Sequence, residues 1–237
     1  MRLRALQNNI LCILIYMTQK HFSFEEVFTF GWSKTKQHAW FIVLTFIIIS
    51  TIISAVKEAF VINIVVALMV ALSLASISLT ISRGHSFTFN DLFTVFLSQN
   101  RVTKFVALSI LYSLPALIAG SSFSFVVIGI YNQNPLFTLA ALLVSTLLTI
   151  PAIYVTVRYK FFPFVVLEHE NTSLQDIIKM SYKLTTNHFW LLFAFLTCAA
   201  VLNIVGAIFM FVGLLITVPT TLFATAHVYN KLKEHSM

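Results

Sequence analysis

The sequence predicts an all-α polytopic membrane protein of about six transmembrane helices, and three observations support this fold class. Hydrophobic residues occupy 59% of the 237 positions and charged residues only 10%, whereas about a quarter of the residues in soluble domains are charged. Apolar runs of about 20 residues recur, which is the length that a helix needs to cross the hydrocarbon core of a bilayer. Basic residues concentrate in alternate connections between these runs. We therefore expect the lipid bilayer to surround most of the chain.

Six apolar segments are long enough to span, and charged or turn residues separate most of them. Lys57 and Glu58 divide the first segment from the second, and the turn residues Asn132 to Pro135 divide the third from the fourth. A turn between Gly206 and Gly213 divides the last long run into two spans. The predicted spans are residues 39–56, 59–81, 105–130, 136–157, and two within 189–229.

The basic residues predict the orientation. With the N-terminus inside, every one of the 15 Lys and Arg residues except Lys57 falls in the N-terminal segment, the loop after span two, the loop after span four or the C-terminal tail. Cytoplasmic loops carry such an excess of Lys and Arg. We expect a multi-pass protein of the cell inner (plasma) membrane with both termini cytoplasmic. The same bias explains the net charge of +7 without a nucleic-acid partner, because no compact basic domain is present.

Residues 1–17 form an N-terminal extension, which we exclude from the membrane domain predicted for residues 18–237. Arg2 and Arg4 precede a short apolar run and resemble the start of a signal peptide. No small-residue cleavage site follows, and the run is too short to span. Translation from Met17 is the alternative, and both interpretations stay open.

Three predicted cytoplasmic segments share a helix-start pattern. Each has Ser or Thr at the first position and an acid three positions later, as in a capping box. The hydroxyl accepts a hydrogen bond from a first-turn N–H, and the acid favours the positive end of the helix dipole. The three pairs are Ser23 and Glu26, Thr88 and Asp91, and Ser173 and Asp176.

Largely apolar stripes follow these starts and predict three amphipathic helices at the inner membrane interface. The stripe positions are Phe24, Val27, Phe28, Gly31 and Trp32; Phe89, Leu92, Phe93, Phe96 and Leu97; and Leu174, Ile177, Ile178, Ser181 and Tyr182. An aromatic residue, Trp40, Phe105 or Trp190, then stands at the mouth of the next span, where aromatic rings favour the headgroup level.

The repeating unit is therefore an interfacial helix, a span out and a span back. The units cover about residues 22–82, 87–160 and 172–231. Units that begin on the same side are parallel repeats, related by rotation about the membrane normal. This predicts a pseudo-threefold bundle. The alternative is that any capped interfacial helix must look alike.

Signatures of enzyme chemistry are missing from the sequence. It contains no GxSxG, HExxH or P-loop motif. Cys12 and Cys198 lack metal-ligand spacing, and His169 between Glu168 and Glu170 is typical of a solvated loop. The spans also lack a midspan Asp or Glu, which ion-coupled transporters usually need. We expect no catalytic residue, no cofactor and no metal.

Six positions remain as candidate functional residues. The midspan asparagines more often join helices than bind substrate, and the prolines can kink spans and free backbone carbonyls. The arginine can extend toward the interface from the end of span four. These residues are Asn63, Pro115, Pro151, Arg158, Asn203 and Pro219.

From Arg158 onward, the order of short motifs resembles a known group of proteins. The matching parts are Arg158, residues 161–168 (FFPFVVLE), Ser181, residues 213–219 (GLLITVP) and Tyr229. The group comprises bacterial multi-pass membrane proteins of unknown function, related to the membrane domain fused to some glycerophosphodiester phosphodiesterases. The resemblance implies a membrane domain. It implies no phosphodiesterase activity, because this chain has no counterpart of that catalytic domain.

We therefore expect a non-enzymatic membrane module that assists a membrane-protein partner or handles lipid at the cytoplasmic face. The alternative is a small transporter or channel with Asn63, Asn203 and the proline kinks lining its path. An intramembrane enzyme is a third hypothesis. A central polar cavity would favour the transporter.

Overall fold

The computed structural model describes residues 22–40, 42–45, 51, 60–85, 94–209 and 213–236. These residues form eight α-helices and one 3₁₀ turn at Val95–Leu97, with no strand among them, so the predicted all-α class is confirmed. The helices are α1 (Phe24–Gln37), α2 (Phe60–Ser82), α3 (Gln99–Tyr131), α4 (Pro135–Arg158), α5 (Phe162–Glu168), α6 (Leu174–Thr186), α7 (Phe189–Ile208) and α8 (Leu214–Ser236). The N-terminal extension, the pair Lys57 and Glu58, most of the first predicted span, and the second cap at Thr88 and Asp91 lie outside the described residues.

Four segments of the described chain are long and apolar enough to cross a membrane: Asn63–Ser82, Gln99–Tyr131, Pro135–Glu168 and Phe189–Ile208. They correspond to predicted spans two to five. The chain is therefore a helical multi-pass membrane protein in contact with the lipid bilayer.

Helix α8 coincides with the predicted sixth span but is more polar than these four segments. Its polar residues include four threonines, His227, Asn230 and two lysines. Three of the threonines are buried and donate to carbonyl oxygens of their own helix, at 2.6 to 2.9 Å. A helix can carry such residues in a core because their hydroxyls are hydrogen-bonded.

The described residues fall into two compact bodies, which we name by their place in the chain. The terminal body is drawn from Met1–Ser98 with Trp190–Met237, and the central body from Gln99–Phe189. The terminal body holds α1, α2, α7 and α8, and the central body holds α3 to α6.

In the terminal body, α1 packs on α8 through a row of small and β-branched residues. Val27, Gly31 and Thr35 are the buried residues of α1, spaced as one helical face. A Cβ atom on Gly31 would clash with the carbonyl oxygen of Thr220 and lie 3.3 Å from Cβ of Ala224. The hydroxyls of Thr35 and Thr220 are 3.1 Å apart. Gly31 therefore permits the close approach of α1 to α8, and the hydrogen bond between the hydroxyls of Thr35 and Thr220 stabilises this packing.

In the central body, α6 uses the equivalent row. Ile177, Ser181 and Thr185 are buried and occupy the positions that correspond to the row of α1. The hydroxyl of Thr185 donates to the carbonyl oxygen of Arg158 at the end of α4, at 3.0 Å. Two of the three predicted interfacial helices thus use corresponding rows of buried residues, and each of these rows contacts a long helix.

The predicted caps at Ser23 and Ser173 differ in the structure. Ser173 caps α6, because its Oγ accepts from the backbone N–H of Asp176 at 3.2 Å and donates to that carboxylate at 2.7 Å. Ser23 stands at the N-cap of α1 but forms no side-chain cap hydrogen bond, so the capping prediction is wrong there. The acid of this pair, Glu26, instead bonds to Lys231 of α8. The carboxylate of Glu26 thus has its partner on another helix.

The connections between helices confirm two predicted turns and add one helix. The predicted loop between spans three and four ends at Asn134, whose side chain caps α4 by accepting from Phe137 N at 3.1 Å. Helix α7 ends at Ile208, within the interval from Gly206 to Gly213 in which a turn was predicted, and α8 begins directly after that interval at Leu214. Helix α5 was not predicted. It places Phe164, Val165 and Val166 in the core.

The docking of α1 can be tested with two glycine substitutions. Alanine is favoured over glycine in a helix by about 1 kcal/mol, and no described atom lies within 4 Å of a Cβ placed on Gly120 of α3. We expect Gly120→Ala to keep or raise the thermal unfolding midpoint in detergent. Gly31→Ala should lower it and speed amide hydrogen exchange in α1, because the added methyl meets Thr220. Equal behaviour of the two variants would contradict the close contact.

Candidate functional site at the basic ends of the helices

Charged side chains cluster where long helices end, once in each body. In the terminal body they lie around the C-terminal ends of α2 and α8, at Arg83 and Lys231. In the central body they lie at the start of α3 and the end of α4, at Arg101, Lys104 and Arg158. We refer to these places as the basic ends. The positive-inside pattern predicts that they are cytoplasmic.

The basic end of the terminal body contains a cavity of about 460 Å³. Its lining residues are Ser82, Arg83, His227, Asn230, Lys231, Lys233 and Glu234. Asn230 organises one wall, because its amide nitrogen donates to Ser82 Oγ at 2.8 Å. Its amide oxygen accepts from Nε and Nη2 of Arg83, both at 3.3 Å. The guanidinium is thereby held at the edge of the cavity.

Glu26 ties α1 to the same end of α8. Its carboxylate accepts a short hydrogen bond from Lys231 Nζ and lies 3.6 Å from Nε2 of His227. The ring of Phe30 stacks on His227 with centroids 4.2 Å apart. The hydrogen bond from Lys231 lowers the pKa of Glu26 below its ordinary value. The contact therefore involves a charged carboxylate at neutral pH.

In the central body, the segment between α5 and α6 is fastened to the start of α3. Arg101 Nη2 lies 2.7 Å from a carboxylate oxygen of Glu170. Lys104 Nζ donates to the carbonyl oxygens of Glu170 and Thr172 at 2.6 and 2.8 Å. Asn100 donates to the former carbonyl at 3.0 Å. The sequence predicted a solvated loop around His169, but these bonds connect the neighbouring Glu170 to the start of α3.

Arg158 lies within a group of aromatic rings. Its guanidinium carbon is 5.2, 4.9 and 5.1 Å from the ring centroids of Tyr154, Tyr182 and Phe189, within the range of cation–π attraction. Nε and Nη1 are buried and form no hydrogen bond to the described protein atoms. The sequence predicted an arginine extending to the interface. The structure adds rings that hold it beside α6.

Asn203 joins two helices. Its side-chain nitrogen donates to Thr221 Oγ1 at 3.3 Å, which connects α7 to α8. This matches the role of midspan asparagines that hold helices together. Asn63 lies half-buried in α2. A transport role for either asparagine stays a prediction.

The three prolines lie inside continuous helices. Pro115 is in α3, Pro151 in α4 and Pro219 in α8. Pro219 borders a cavity of about 30 Å³ lined mainly by apolar residues such as Ile42 and Phe223. That volume is close to what one water molecule needs. The proposed kinks stay predictions.

The most specific contacts at the basic ends were not foreseen from the sequence. Arg83 and Asn230 are 147 positions apart, and Glu26 and Lys231 are 205 apart. No local spacing signals such pairs. The charges themselves were visible as basic residues in predicted cytoplasmic segments.

Comparisons with protein-family models, with curated proteins and with solved structures found no match for this chain. The resemblance to the bacterial membrane proteins named above stays a prediction. The function must therefore be argued from the geometry of the basic ends.

The ion pair between Glu26 and Lys231 can be measured by a double-mutant cycle. Glu26→Gln, Lys231→Gln and the double variant should give a coupling of about 0.2 to 1 kcal/mol in thermal unfolding at neutral pH, because the pair is partly exposed. A lowered carboxyl pKa stabilises the fold above its unfolded value of 4.5. The coupling should therefore decrease below that value and disappear as the pH falls through the lowered pKa of the folded state. Additive effects at neutral pH would contradict the pair.

Proposed function

We propose that this chain is a non-enzymatic module of the inner membrane that holds anionic lipid at the cytoplasmic face. The supporting observation is that basic side chains at the helix ends of both bodies are held by specific hydrogen bonds. Arg83 is fixed by Asn230, and Lys104 by two backbone carbonyls. A basic pocket at the cytoplasmic side of membrane helices, such as the one beside Arg83, suits anionic headgroups.

Exposed tryptophans support a location at the headgroup level. Trp40 and Trp190 follow α1 and α6 in the chain and are 76% and 70% exposed. Tryptophan favours the membrane–water boundary. Basic groups near an anionic membrane surface contribute about 1 kcal/mol each. In each body, basic residues at the helix ends would hold headgroups beside the docked interfacial helix.

The docking pattern supports six spans arranged as three repeats. Helix α1 packs on α8, the 3₁₀ turn Val95–Leu97 contacts α2, and α6 contacts α4. In the proposed repeat, the interfacial segments of the second and third units contact the second span of the preceding unit. The interfacial helix of the first unit contacts the second span of the third unit, which closes the cycle. A cyclic rule of this kind is what a pseudo-threefold arrangement requires.

The transporter alternative depends on a polar path through the spans. The cavity beside Pro219 is small and mainly apolar, and Asn203 is engaged by Thr221. Neither observation supports a polar path at these two places.

The proposed orientation can be tested by cysteine labelling in a background with Cys12 and Cys198 replaced by serine. A membrane-impermeant maleimide added to intact cells should label Asn132→Cys, in the exposed turn between α3 and α4. It should label Asn171→Cys and Lys233→Cys only after the membrane is opened. Labelling of Asn171→Cys from outside would reverse the proposed orientation.

The proposed function predicts which lipids accompany the protein. After purification in mild detergent, mass spectrometry should find anionic phospholipid enriched over its share of the source membrane. The enrichment should fall at high salt, because exposed charges are screened. Co-purified lipid of bulk composition would contradict the proposal. If one stoichiometric protein partner accompanied that bulk lipid, the partner-assisting function would be favoured instead.

A further inference from the structure

We propose that the cavity at the basic end of the terminal body is a binding site for a phosphate group, recognised chiefly by Arg83 and Lys233. This inference rests on the proposed function and locates it at one site. The cavity volume of about 460 Å³ falls within the range typical of ligand sites. It exceeds the cavity beside Pro219 many times over.

Arg83 is positioned before any ligand arrives. Asn230 accepts from two nitrogens of the guanidinium and is itself fixed by Ser82. The planar, permanently charged guanidinium suits the oxygen atoms of phosphate. An amide that fixes the guanidinium lowers the conformational entropy lost on binding.

The charge balance of the cavity favours an anion. Lys231 is engaged by Glu26 across the contact with α1, so these two charges offset one another. The described lining also contains Arg83 and Lys233, and Glu234 supplies its one carboxylate. Basic side chains therefore outnumber acidic ones among the described residues that line the cavity.

Basic residues at the ends of α2 and α8 have a second explanation. Cations stabilise helix C-termini through the helix dipole, and Arg83 and Lys233 lie at such ends. That effect needs a nearby charge but neither a cavity nor a fixed guanidinium. The bonds through Asn230 connect two helices and hold Arg83 at the cavity wall, and these features point to a ligand.

A phosphate group at this level can belong to a lipid headgroup or to a soluble phosphate ester. Both present the same anionic oxygens to Arg83 and Lys233. They differ in whether acyl chains contribute to binding, so probes with and without chains separate the two sources.

The test uses the full-length protein, delipidated in detergent, and three probes. These are dioleoyl phosphatidylglycerol, dioleoylglycerol (the same chains without phosphate) and inorganic phosphate. Binding is followed by native mass spectrometry for the lipids and by thermal stabilisation for phosphate. The variants are Arg83→Gln, Arg83→Lys and Lys233→Gln. The matched control is Lys179→Gln, which removes the same charge from a side chain of α6 that is 75% exposed.

We expect Arg83→Gln and Lys233→Gln each to weaken binding of the phosphate-bearing probe about fivefold. Lys179→Gln should stay within about twofold of the wild type. Arg83→Lys should recover part of the loss, because it restores the charge without the planar fork. Lys233→Gln keeps the inference testable even if substitution of Arg83 disturbs the fold.

Binding of phosphatidylglycerol alone assigns the site to lipid, binding of inorganic phosphate alone assigns it to a soluble ester, and both results support recognition of phosphate. Equal binding of dioleoylglycerol and phosphatidylglycerol would overturn the inference. Equal binding by the wild type and both glutamine variants would also overturn it. If anionic lipid still co-purifies with those variants, the proposed function stands and only this site is wrong. If anionic lipid is never enriched but inorganic phosphate binding depends on Arg83, the proposed function is wrong and the site stands.

Discussion

The close approach of α1 to α8 at Gly31 is the contact on which the arrangement of the terminal body depends. Because Gly31 has no side chain, the backbone carbonyl of Thr220 can lie against α1, and Thr35 then reaches the hydroxyl of Thr220. The same docking brings Glu26 within reach of Lys231. Lys231 also lines the basic cavity. The geometry of the cavity wall thus depends on a packing contact about three turns away along α8.

Hydrogen bonding inside α8 makes this contact compatible with a membrane environment. Thr220, Thr221 and Thr225 are buried but donate to carbonyl oxygens within their own helix. Unsatisfied polar groups would be costly there. Thr220 also interacts with Thr35, and Thr221 accepts from Asn203. The threonine hydroxyls of α8 therefore form hydrogen bonds within their own helix and also connect α8 to α1 and α7.

The sequence predicted those features that depend on neighbouring residues, namely long apolar runs, turn residues and helix caps. The long apolar runs predicted spans two to five, and Asn134 with Pro135 predicted the start of α4. Ser173 capped α6 as predicted because its partner, Asp176, lies three residues away. Ser23 forms no such cap hydrogen bond, and the carboxylate of Glu26 is bound by Lys231 on another helix.

Helix α5 and the position of Arg83 could not be predicted, because they depend on contacts with residues that are distant in the sequence. Helix α5 follows the basic end of α4, and its short apolar sequence with Pro163 in the first turn resembles an irregular connection. Burial of its residues in the central body stabilises it. The position of Arg83 depends on Asn230, which α8 brings close from far along the chain. Sequence could identify the charges but not their partners.

Among the corresponding residues in the rows of α1 and α6, Gly31 and Ser181 form the pair whose difference has the largest effect on packing. Val27 corresponds to Ile177 and Thr35 to Thr185, but Gly31 corresponds to Ser181. A Cβ at Gly31 would already collide with Thr220, so a serine there would collide as well. Helix α6 therefore cannot replace α1 on α8, although the two rows are otherwise alike. Gly31 therefore makes this docking position on α8 specific for α1.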